Sequence, residues 1–517
     1  MKIYSFSPFG YEGSLVSVEV DIRRGIPAID IVGLADGAVR ESRERMKSAI
    51  RNSGFEFPQD RVLISLSPAD LKKEGAGFDL SVALGVLCAS GQKGFGLENL
   101  QLPSVLVLGE LELCGALRPV RAVHAAASSA KAAGIEYCLV PNANANEARE
   151  VLGMKVFGAD NLREAFEALF WKEKFSAAAE SVGLDSVPKG SEKIDGVLFP
   201  PVYDGCGFED VTGQKDLVRA CLIAAAGGHN LLAFGPPGCG KSLVLQRFPS
   251  LVPLLTAAEA QSVTRIHSIA GLMPPGQGLL RTAPFRQPHM SASLEGLCGG
   301  GAQCRPGEVS LAHNGALFLD EAAEFKSSVL QMLRVPLESQ KISLSRAGRT
   351  AVYPANFQLL MATNPCPCGN YGSEKKICLC SSRSIELYWK KFSAPLLDRI
   401  DLRVKVDIPD QDEAAAALWS TQDLRKPVAR AVKAQRARGI YRNSRMRPEE
   451  IPVFCPLESG AERLLTAAAS RYDFSPRALA SCKKIARTIA DMDGSQKITQ
   501  EHVAEAVDLR KLTGILD

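Results

Sequence analysis

Hydrophobic and polar residues alternate in the first part of the chain. The alternation is clearest within residues 14–33, in SLVSVEVDI and AIDIVGL, and it returns in VLISLSP, so we predict strands there. Between them, AVRESRERMKSAIRNSG has the spacing of an amphipathic helix. Residues 1–171 are therefore predicted to form one α/β domain, which ends with the helix NLREAFEALF.

The pattern changes twice after residue 171. Residues 172–205 lack apolar periodicity and contain Ser, Ala, Lys, Gly and Pro, which predicts a linker. Residues 206–410 combine apolar strands with helical stretches and predict a second α/β domain. Residues 411–517 carry an almost wholly helical pattern, in which Thr499 is the expected cap of the last helix. The expected fold class is α/β, with a helical domain at the C-terminal end.

Composition and charge restrict the function only weakly. The 517 residues are 46% hydrophobic and 23% charged, as in soluble globular proteins of several domains, and the net charge of +4 gives no global argument for nucleic acid binding. The 14 cysteines are scattered through apolar segments and do not form a disulfide framework. No signal sequence or membrane-length apolar run is present, so we expect a cytoplasmic protein without a membrane segment.

The strongest motif is a phosphate loop in residues 230–242, NLLAFGPPGCGKS. An apolar strand leads into G-x-x-x-x-G-K-S, whose glycines let successive backbone N–H groups surround a phosphate. Lys241 is expected to reach the β- and γ-phosphates of ATP, and Ser242 is expected to bind Mg²⁺. The residues predicted to hold the nucleotide are Gly235, Pro236, Pro237, Gly238, Cys239, Gly240, Lys241 and Ser242.

Polar residues that complete a hydrolytic site are expected on neighbouring strands. The segment GALFLDE, residues 315–321, places Asp320 and Glu321 at the end of an apolar strand. Asp320 is expected to hold Mg²⁺ through water, and Glu321 to orient or deprotonate the attacking water. A second apolar strand, QLLMATN, ends at Asn364, which is placed to hold that water opposite the γ-phosphate.

The interval from Lys241 to Asp320 is far longer than one βαβ crossover requires, which indicates an insert. The insert contains the Gly- and Pro-rich segment GLMPPGQGLLRTAPFRQPHMSAS, with Arg281, Arg286 and His289. After the acidic strand, residues 341–357 predict a β-hairpin that turns at Ala347-Gly348.

These motifs, together with LLDRIDL at 396–402 and SPRA at 475–478, occur in an order that resembles AAA+ ATPases of the Mg-chelatase-like branch. The resemblance implies that Arg399 is an arginine finger reaching a neighbouring subunit's nucleotide. It implies that Arg477 is a second sensor in a helical lid. It also implies that the insert and the hairpin are the helix-2 insert and the pre-sensor hairpin of that branch.

The N-terminal domain is similar to the Lon-protease-type domain of the ComM/YifB family, notably in SLSPADLKKEGAGFDLSVALGVL and LGELELCGALRPVRAVHAAASSAKAAGIEYCLVP. The resemblance thus covers nearly the whole chain. Gly77 stands at the position of the Lon serine nucleophile, and His124 stands where the lysine base is expected. Ser81 lies in an apolar helical run and is expected to be structural. We therefore predict a non-proteolytic binding or assembly module.

The resemblance implies a hexameric motor that moves DNA and promotes branch migration during recombination and natural transformation. Cations on the insert and hairpin suit phosphate contacts, although solvated turns or subunit pairs explain them as well. Residues 425–447 are more basic still, and either DNA or a charged outer helix face accounts for them. Two other functions stay open, a chelatase motor subunit and a protein-remodelling ATPase. The candidate DNA contacts are Arg281, Arg286, Lys341, Arg346 and Arg349.

Four cysteines follow Asn364 in the segment NPCPCGNYGSEKKICLC. Cys366, Cys368, Cys378 and Cys380 form C-x-C-x9-C-x-C, whose count and symmetry suit a tetrahedral thiolate zinc site. The Cys-x-Cys spacing is tighter than the usual two-residue spacer, and reduced structural thiols or redox control are the alternatives. Bound zinc would brace the segment between Asn364, the expected γ-phosphate sensor, and Arg399, the expected arginine finger. It would take no part in the chemistry.

Overall fold

Two large β-sheets, with helices packed on them, make up most of the fold, and a helical region follows them. The structure is a computed structural model that describes residues 1–33, 37–69, 73, 75–92, 104–177, 187–202, 206–274, 276–301, 303–346, 349–372, 376–408 and 419–511. This architecture is the α/β fold with a helical C-terminal region that the sequence predicts.

The strands are β1 (Lys2–Ser7), β2 (Ser14–Arg23), β3 (Ile29–Val32), β4 (Arg61–Ser67), β5 (Ser104–Val107), β6 (Glu110–Leu111), β7 (Leu117–Arg118), β8 (Tyr137–Pro141), β9 (Lys155–Ala159), β10 (Ser176–Ala177), β11 (Glu192–Ile194), β12 (Val197–Phe199), β13 (Leu231–Phe234), β14 (Phe285–Arg286), β15 (Gly299–Gly300), β16 (Arg305–Pro306), β17 (Ala316–Leu319), β18 (Lys341–Arg346), β19 (Arg349–Pro354), β20 (Gln358–Thr363) and β21 (Leu402–Lys405).

The α-helices are α1 (Gly37–Asn52), α2 (Asp79–Ser90), α3 (Val123–Ala132), α4 (Asn142–Arg149), α5 (Leu162–Ala168), α6 (Lys215–Gly227), α7 (Lys241–Arg247), α8 (Ala257–Ala270), α9 (Leu294–Cys298), α10 (Glu308–Leu311), α11 (Ser327–Met332), α12 (Arg334–Ser339), α13 (Ser382–Lys390), α14 (Ala394–Leu397), α15 (Thr421–Ala437), α16 (Ile451–Phe454), α17 (Ser459–Arg471), α18 (Pro476–Asp493) and α19 (Gln500–Arg510).

The first sheet has the order β10-β9-β8-β5-β1-β2-β4-β3 and mixes parallel and antiparallel pairs. The alternating segments of residues 14–33 form β2 and β3, as predicted. Helix α2 packs on β2 and is buried along most of its length, which explains its apolar sequence.

The second sheet has the order β14-β17-β20-β13-β21, and all its strands run parallel. Strands β13 and β17 are buried at every residue, so each is a continuous apolar run rather than an alternating one. The helices of the C-terminal region pack on this sheet through α6. The predicted cap Thr499 precedes α19, and its backbone N–H donates to Nδ1 of His502 at 3.0 Å.

Residues 172–205, predicted as a linker, contain short strands and buried side chains that pack against both α/β units. Phe175 is buried in the N-terminal core, and β10 pairs with β9 at the edge of the first sheet. The β11–β12 hairpin buries Val197 and Phe199 against the core of the second α/β unit. These strands are only two or three residues long, which is too short for an apolar period to appear in the sequence.

The N-terminal unit contacts the insert and the predicted hairpin. The backbone N–H of Ala122 donates to the carbonyl of Ser268 in α8 at 3.0 Å. The guanidinium of Arg265 lies 4.6 Å from the ring centroid of Tyr11, and the same ring meets Tyr353 of β19 edge-on at 6.4 Å. The hairpin itself forms as β18 and β19, while its predicted turn, Ala347-Gly348, lies outside the described residues.

No helix within the described ranges combines the length and the apolar character needed to cross a membrane.

Candidate nucleotide-binding site

Three strands of the second sheet end in polar residues at one edge. The phosphate loop follows β13, Asp320 follows β17, and Asn364 follows β20. Because these neighbouring strands are parallel, their carboxyl ends meet at the same edge. Strand β20 lies between the other two, so Asn364 is positioned between the acidic pair and the phosphate loop.

The phosphate loop bends tightly before α7. Gly238 and Gly240 have φ angles of +79° and +88°, a left-handed conformation that other residues rarely adopt. The ammonium group of Lys241 donates to the carbonyl oxygens of Gly235 and Pro236, both at 2.8 Å. The cation predicted to meet the phosphates is therefore held against the inner face of the loop.

Gln214 fixes the phosphate loop from outside. Its side-chain amide donates to the carbonyl of Cys239 at 2.7 Å and to that of Asp407, just beyond β21, at 3.1 Å. Sequence reasoning missed this residue, since a glutamine ahead of a helix matches no phosphate-loop motif. Its φ of +55° shows that the backbone there is bent for the contact.

Ser242 and Asp320 meet directly across the sheet edge. The Ser242 hydroxyl donates to Oδ1 of Asp320 at 2.8 Å, and the backbone N–H of Glu321 donates to the same oxygen at 3.1 Å. A hydroxyl and a carboxylate are hard oxygen donors, the kind that Mg²⁺ prefers. The residues present thus fit the predicted magnesium ion, and the Glu321 side chain beside them is exposed.

The backbone on both sides of Asn364 is anchored. The carbonyl of Thr363 accepts a hydrogen bond from the N–H of Gly235 at 3.3 Å. The carbonyl of Pro365 accepts one from the Trp389 indole at 3.0 Å. Asn364 is half-buried, so its amide sits on a fixed backbone next to the loop.

Arg399 lies at the opposite edge of the sheet. Strand β21 is parallel to β13, with Leu402 opposite Leu231, so the residues that precede β21 lie at the amino edge. The side chain of Asn230, just before β13, donates to the Arg399 carbonyl at 2.9 Å. Four strand residues span about 13 Å, which separates Arg399 from the phosphate loop of its own chain.

Arg399 and Arg477 share one carboxylate. Arg399 forms an ion pair with Glu338, and Nη1 of Arg477 lies 3.6 Å from the same side chain. Both arginines line a cavity of about 120 Å³, together with Arg445 and Lys484. Burial lowers the pKa of Lys484, and the carboxylates of Asp398 and Asp401 line the same cavity. Glu338 carries no motif and was missed by the sequence reasoning.

The four cysteines after Asn364 form one cluster, in which all four sulfur atoms lie within 4.8 Å of one another. The Sγ of Cys366 is 3.4 Å from that of Cys368 and 3.7 Å from that of Cys378, and the latter two are 3.6 Å apart. Tetrahedral zinc with bonds of about 2.3 Å requires sulfur separations of about 3.8 Å, whereas a disulfide requires about 2.05 Å. The spacing suits a metal rather than a disulfide.

The solvent exposure of the residues around Cys378 also supports a metal site. Ile377 and Leu379 are 84% and 89% exposed, while the intervening Cys378 is turned inward. A loop selected for apolar packing would bury the isoleucine and the leucine first. The backbone N–H of Tyr371 donates to the Cys366 sulfur at 3.4 Å, a contact that stabilises a thiolate.

Two of the residues predicted to contact DNA, Arg281 and Arg286, bind partners within the chain. The guanidinium of Arg286 pairs with Glu308 at 2.6 Å, and Nε of Arg281 donates to the carbonyl of Leu255 at 2.9 Å. Lys341 at the start of the hairpin is exposed. Arg346 and Arg349 face each other in the β18–β19 register, and their side chains lie outside the described set.

The basic run 425–447 contains cations that hold the fold together. Arg425 is buried and pairs with Glu192 of β11 at 3.1 Å. Arg438 forms an ion pair with the buried Asp491 of α18. These arginines belong to internal pairs, so neither DNA nor a uniform solvated helix face accounts for the run as a whole.

In the N-terminal unit, Ser81 and His124 are both buried. The Ser81 hydroxyl donates at 2.8 Å to the carbonyl of Phe78, which directly precedes α2, an ordinary structural contact. His124 lies in α3, and burial lowers the pKa of its imidazole to about 3, with the charge of Arg265 acting in the same direction.

A phosphate loop, a hydroxyl–carboxylate pair and an asparagine at one edge of a parallel sheet are the features of phosphate-loop nucleotide-binding proteins. Three family models match the chain. They are described as Subunit ChlI of Mg-chelatase (residues 18–144), Magnesium chelatase, subunit ChlI (207–414) and Magnesium chelatase, subunit ChlI C-terminal (419–510).

Several relatives match almost from end to end. The competence protein ComM of Haemophilus influenzae is 37% identical over 528 residues, which cover 99% of this chain and 98% of that protein. The YifB protein of Escherichia coli is 37% identical over 518 residues, covering 99% and 97%. The chain therefore belongs to the ComM/YifB family of Mg-chelatase-like AAA+ ATPases. A more distant match, the DNA replication licensing factor MCM6 of Oryza sativa subsp. indica, is 24% identical over 377 residues, 66% of this chain and 40% of that protein.

Proposed function

We propose that the chain hydrolyses ATP as a ring motor that acts on DNA. The observation that carries the proposal is the arrangement of the second sheet, with the Ser242–Asp320 pair and the phosphate loop at one edge and Arg399 at the other. Lys241 binds the β- and γ-phosphates, Glu321 orients or deprotonates the attacking water, and Asn364 positions that water. Ser242 and Asp320 would hold Mg²⁺, which when bound would supply neutralisation of phosphate charge.

The ring follows from the position of the arginines. Arg399 and Arg477 lie at the sheet edge opposite their own phosphate loop, where the nucleotide of a neighbouring copy would replace Glu338 as their partner. A head-to-tail interface of this kind closes into a ring when its rotation permits. We infer that each ATP site lies between two subunits and expect a hexamer.

DNA is the proposed substrate because of two relatives and the hairpin. One relative is named a competence protein, and the other a DNA replication licensing factor. In this chain, β18 and β19 carry Lys341, Arg346 and Arg349, and cations on a hairpin suit contact with a phosphate backbone. Branch migration in recombination or transformation is the activity we infer for a ring of this kind.

A chelatase motor is the second candidate, because the matching family models are named for magnesium chelatase. The near full-length match to ComM favours the DNA motor, since it includes the N-terminal unit as well as the ATPase unit. For that N-terminal unit we propose a binding or assembly role without proteolysis, because Ser81 is enclosed in its own helix.

The test is ATP hydrolysis measured with no DNA, single-stranded DNA, duplex DNA and a four-way junction. The DNA motor predicts stimulation by at least one DNA form, and loss of that stimulation in Arg346→Ala while nucleotide binding stays intact. The Arg23→Ala variant, which alters an exposed ion pair with Asp21 in the N-terminal unit, serves as the control. A rate that does not respond to any of these DNA forms contradicts the DNA assignment.

We further propose that Cys366, Cys368, Cys378 and Cys380 bind one structural Zn²⁺ ion in a reducing cytoplasm. The support is the near-tetrahedral spacing of the sulfurs and the outward orientation of the neighbouring apolar side chains. Elemental analysis of protein purified without chelator is expected to find one zinc per chain. Zinc-free protein with normal stability contradicts the assignment.

A further inference from the structure

The cysteine loop contacts the phosphate loop through Gly369 and Pro237. Gly369, which directly follows Cys368, faces Pro237 so closely that a Cβ atom built on Gly369 would lie 2.7 Å from Cδ of Pro237. Pro237 is part of the loop predicted to surround the phosphates. The wall of the nucleotide pocket is therefore continuous with the cysteine cluster.

The turn that presents Gly369 is short. The N–H of Gly369 donates to the carbonyl of Cys366 at 3.0 Å, which closes a tight turn containing the first two cysteines. The residue before Cys366 is anchored by Trp389, and Asn364 comes one residue earlier. Residues 364–369 thus contain the proposed water-binding amide, two proposed thiolate ligands and the contact with the phosphate loop.

The second limb of the loop reaches this turn mainly through sulfur. Cys378 lies 3.7 Å from Cys366 and 3.6 Å from Cys368, whereas Ile377 and Leu379 are directed toward solvent. With the apolar side chains outside, sulfur atoms form the near contacts that join the two limbs. A metal ion bound to all four sulfurs would fix the position of the turn relative to the rest of the sheet edge.

We propose that zinc bound by the four cysteines holds the Cys366–Gly369 turn against Pro237 and thereby sets the affinity of the phosphate loop for ATP. This inference rests on the proposed nucleotide and zinc sites. It gives the metal a function beyond bracing the chain, since loss of zinc releases the part of the pocket wall that the Cys366–Gly369 turn supports. It assigns no chemical step to the zinc.

Two glycines of the same loop provide a matched pair of variants. Gly369 and Gly372 have φ angles of +78° and +71°, so an alanine strains the backbone similarly at each. They differ in what the added Cβ atom meets: Pro237 at 2.7 Å for Gly369, and only Cε of Lys405, at 4.0 Å, for Gly372. The Gly369→Ala variant therefore disturbs the contact with the phosphate loop, and Gly372→Ala controls for strain in the loop.

The experiment measures zinc content by elemental analysis and Mg-ATP affinity by titration calorimetry on the full-length chain. Gly369→Ala is expected to retain zinc and to weaken ATP binding about tenfold or more, because small displacements of a binding group are costly. Gly372→Ala is expected to retain both zinc and affinity. Equal ATP affinity in the two variants overturns the contact as the route of coupling.

The role of the metal is tested by removing zinc from the protein and adding it back. Wild-type protein stripped of zinc under reducing conditions is expected to lose ATP affinity about tenfold and to regain it when Zn²⁺ is added. Cys378→Ser is expected to lose both zinc and affinity. Stripped protein that binds ATP as tightly as loaded protein overturns the inference and leaves the ATPase proposal intact. Wild-type protein that binds no ATP in either state overturns both.

Discussion

The Ser242 hydroxyl and the Asp320 carboxylate are joined by a hydrogen bond of 2.8 Å. The two residues are far apart in the sequence, and they meet because β13 and β17 end at the same edge of one parallel sheet. The backbone N–H of Glu321 donates to the same carboxylate oxygen. The oxygen donors that suit Mg²⁺ are thus assembled by the fold itself, next to the residue proposed to activate water.

Replacing Asp320 tests this arrangement. Asp320→Asn keeps the shape and one acceptor oxygen but removes the charge, so Mg²⁺ at this site is held less tightly. We expect ATP turnover to fall about 100-fold or more. The matched change Asp21→Asn, in an exposed pair with Arg23, is expected to leave turnover unchanged. ATP turnover is measured by phosphate release at saturating Mg²⁺. A fall in turnover of less than about threefold in Asp320→Asn argues against the magnesium role.

Hydrolysis is expected to depend on protein concentration. If Arg399 and Arg477 act on a neighbour's nucleotide, a separated subunit has incomplete sites. The rate per chain should therefore rise steeply over the range in which rings assemble, as followed by sedimentation. A sedimenting monomer with full specific activity contradicts the intersubunit site.

Acid sensitivity is expected from His124. This imidazole is buried in α3, and among the described residues neither ring nitrogen has a hydrogen-bond partner. Burial and then Arg265 lower its pKa from 6.5 to about 3. A pKa depressed in the folded state gives stability that is present above pH 6.5 and lost as the pH falls toward 3.

The comparison is with His124→Leu. Between pH 7 and pH 5, the free energy of unfolding of the wild type should fall about 2 kcal/mol further than that of the variant. Urea denaturation at the two pH values measures this. The carboxylate of Glu147 accepts a hydrogen bond from the backbone N–H of His124 at 2.9 Å. Glu147 is present in both proteins, so its contribution to the acid loss cancels when the two are compared. Equal acid losses in the two proteins would show that His124 protonates without cost.

The contact between the N-terminal unit and the hairpin gives a further prediction. Tyr11 packs against Tyr353 of β19 and lies under Arg265, so Tyr11→Ala removes both ring contacts. We expect faster amide hydrogen exchange in β18 and β19. Tyr472→Ala, which removes a stacked ring pair with Phe474 in the helical region, should leave exchange in the hairpin unchanged. Unchanged exchange in Tyr11→Ala contradicts a supporting role for this contact.

The residues at the carboxyl edge of the second sheet were predictable because each one directly follows the apolar strand that positions it. A buried parallel strand is a continuous apolar run, and the site residue that follows it is adjacent in sequence, as the loop residue Gly235 is to Phe234 and Asp320 is to Leu319. The phosphate loop adds a fixed spacing of glycines and a lysine. The cysteine cluster was predictable for the same reason, since all four cysteines lie within one short segment.

The partners of these residues were not predictable, because they come from distant parts of the chain. Glu338 pairs with Arg399 and Arg477 across three separate elements, and no spacing in the sequence relates them. Arg425 and Arg438 look like a solvated basic run in sequence, yet their acidic partners lie far away in β11 and α18. A charge pattern shows which residues carry charge, whereas tertiary packing decides which charges are paired.

Mixing two inactive variants tests the central claim most directly. Lys241→Ala has a defective phosphate loop and an intact Arg399, whereas Arg399→Ala has the reverse, so each alone should hydrolyse little ATP. In an equal mixture that assembles at random, about a quarter of the junctions pair an intact loop with an intact arginine. ATP hydrolysis by the mixture should therefore recover to about a quarter of the wild-type rate. A mixture no more active than the mean of the two variants would contradict an ATP site built between neighbouring subunits.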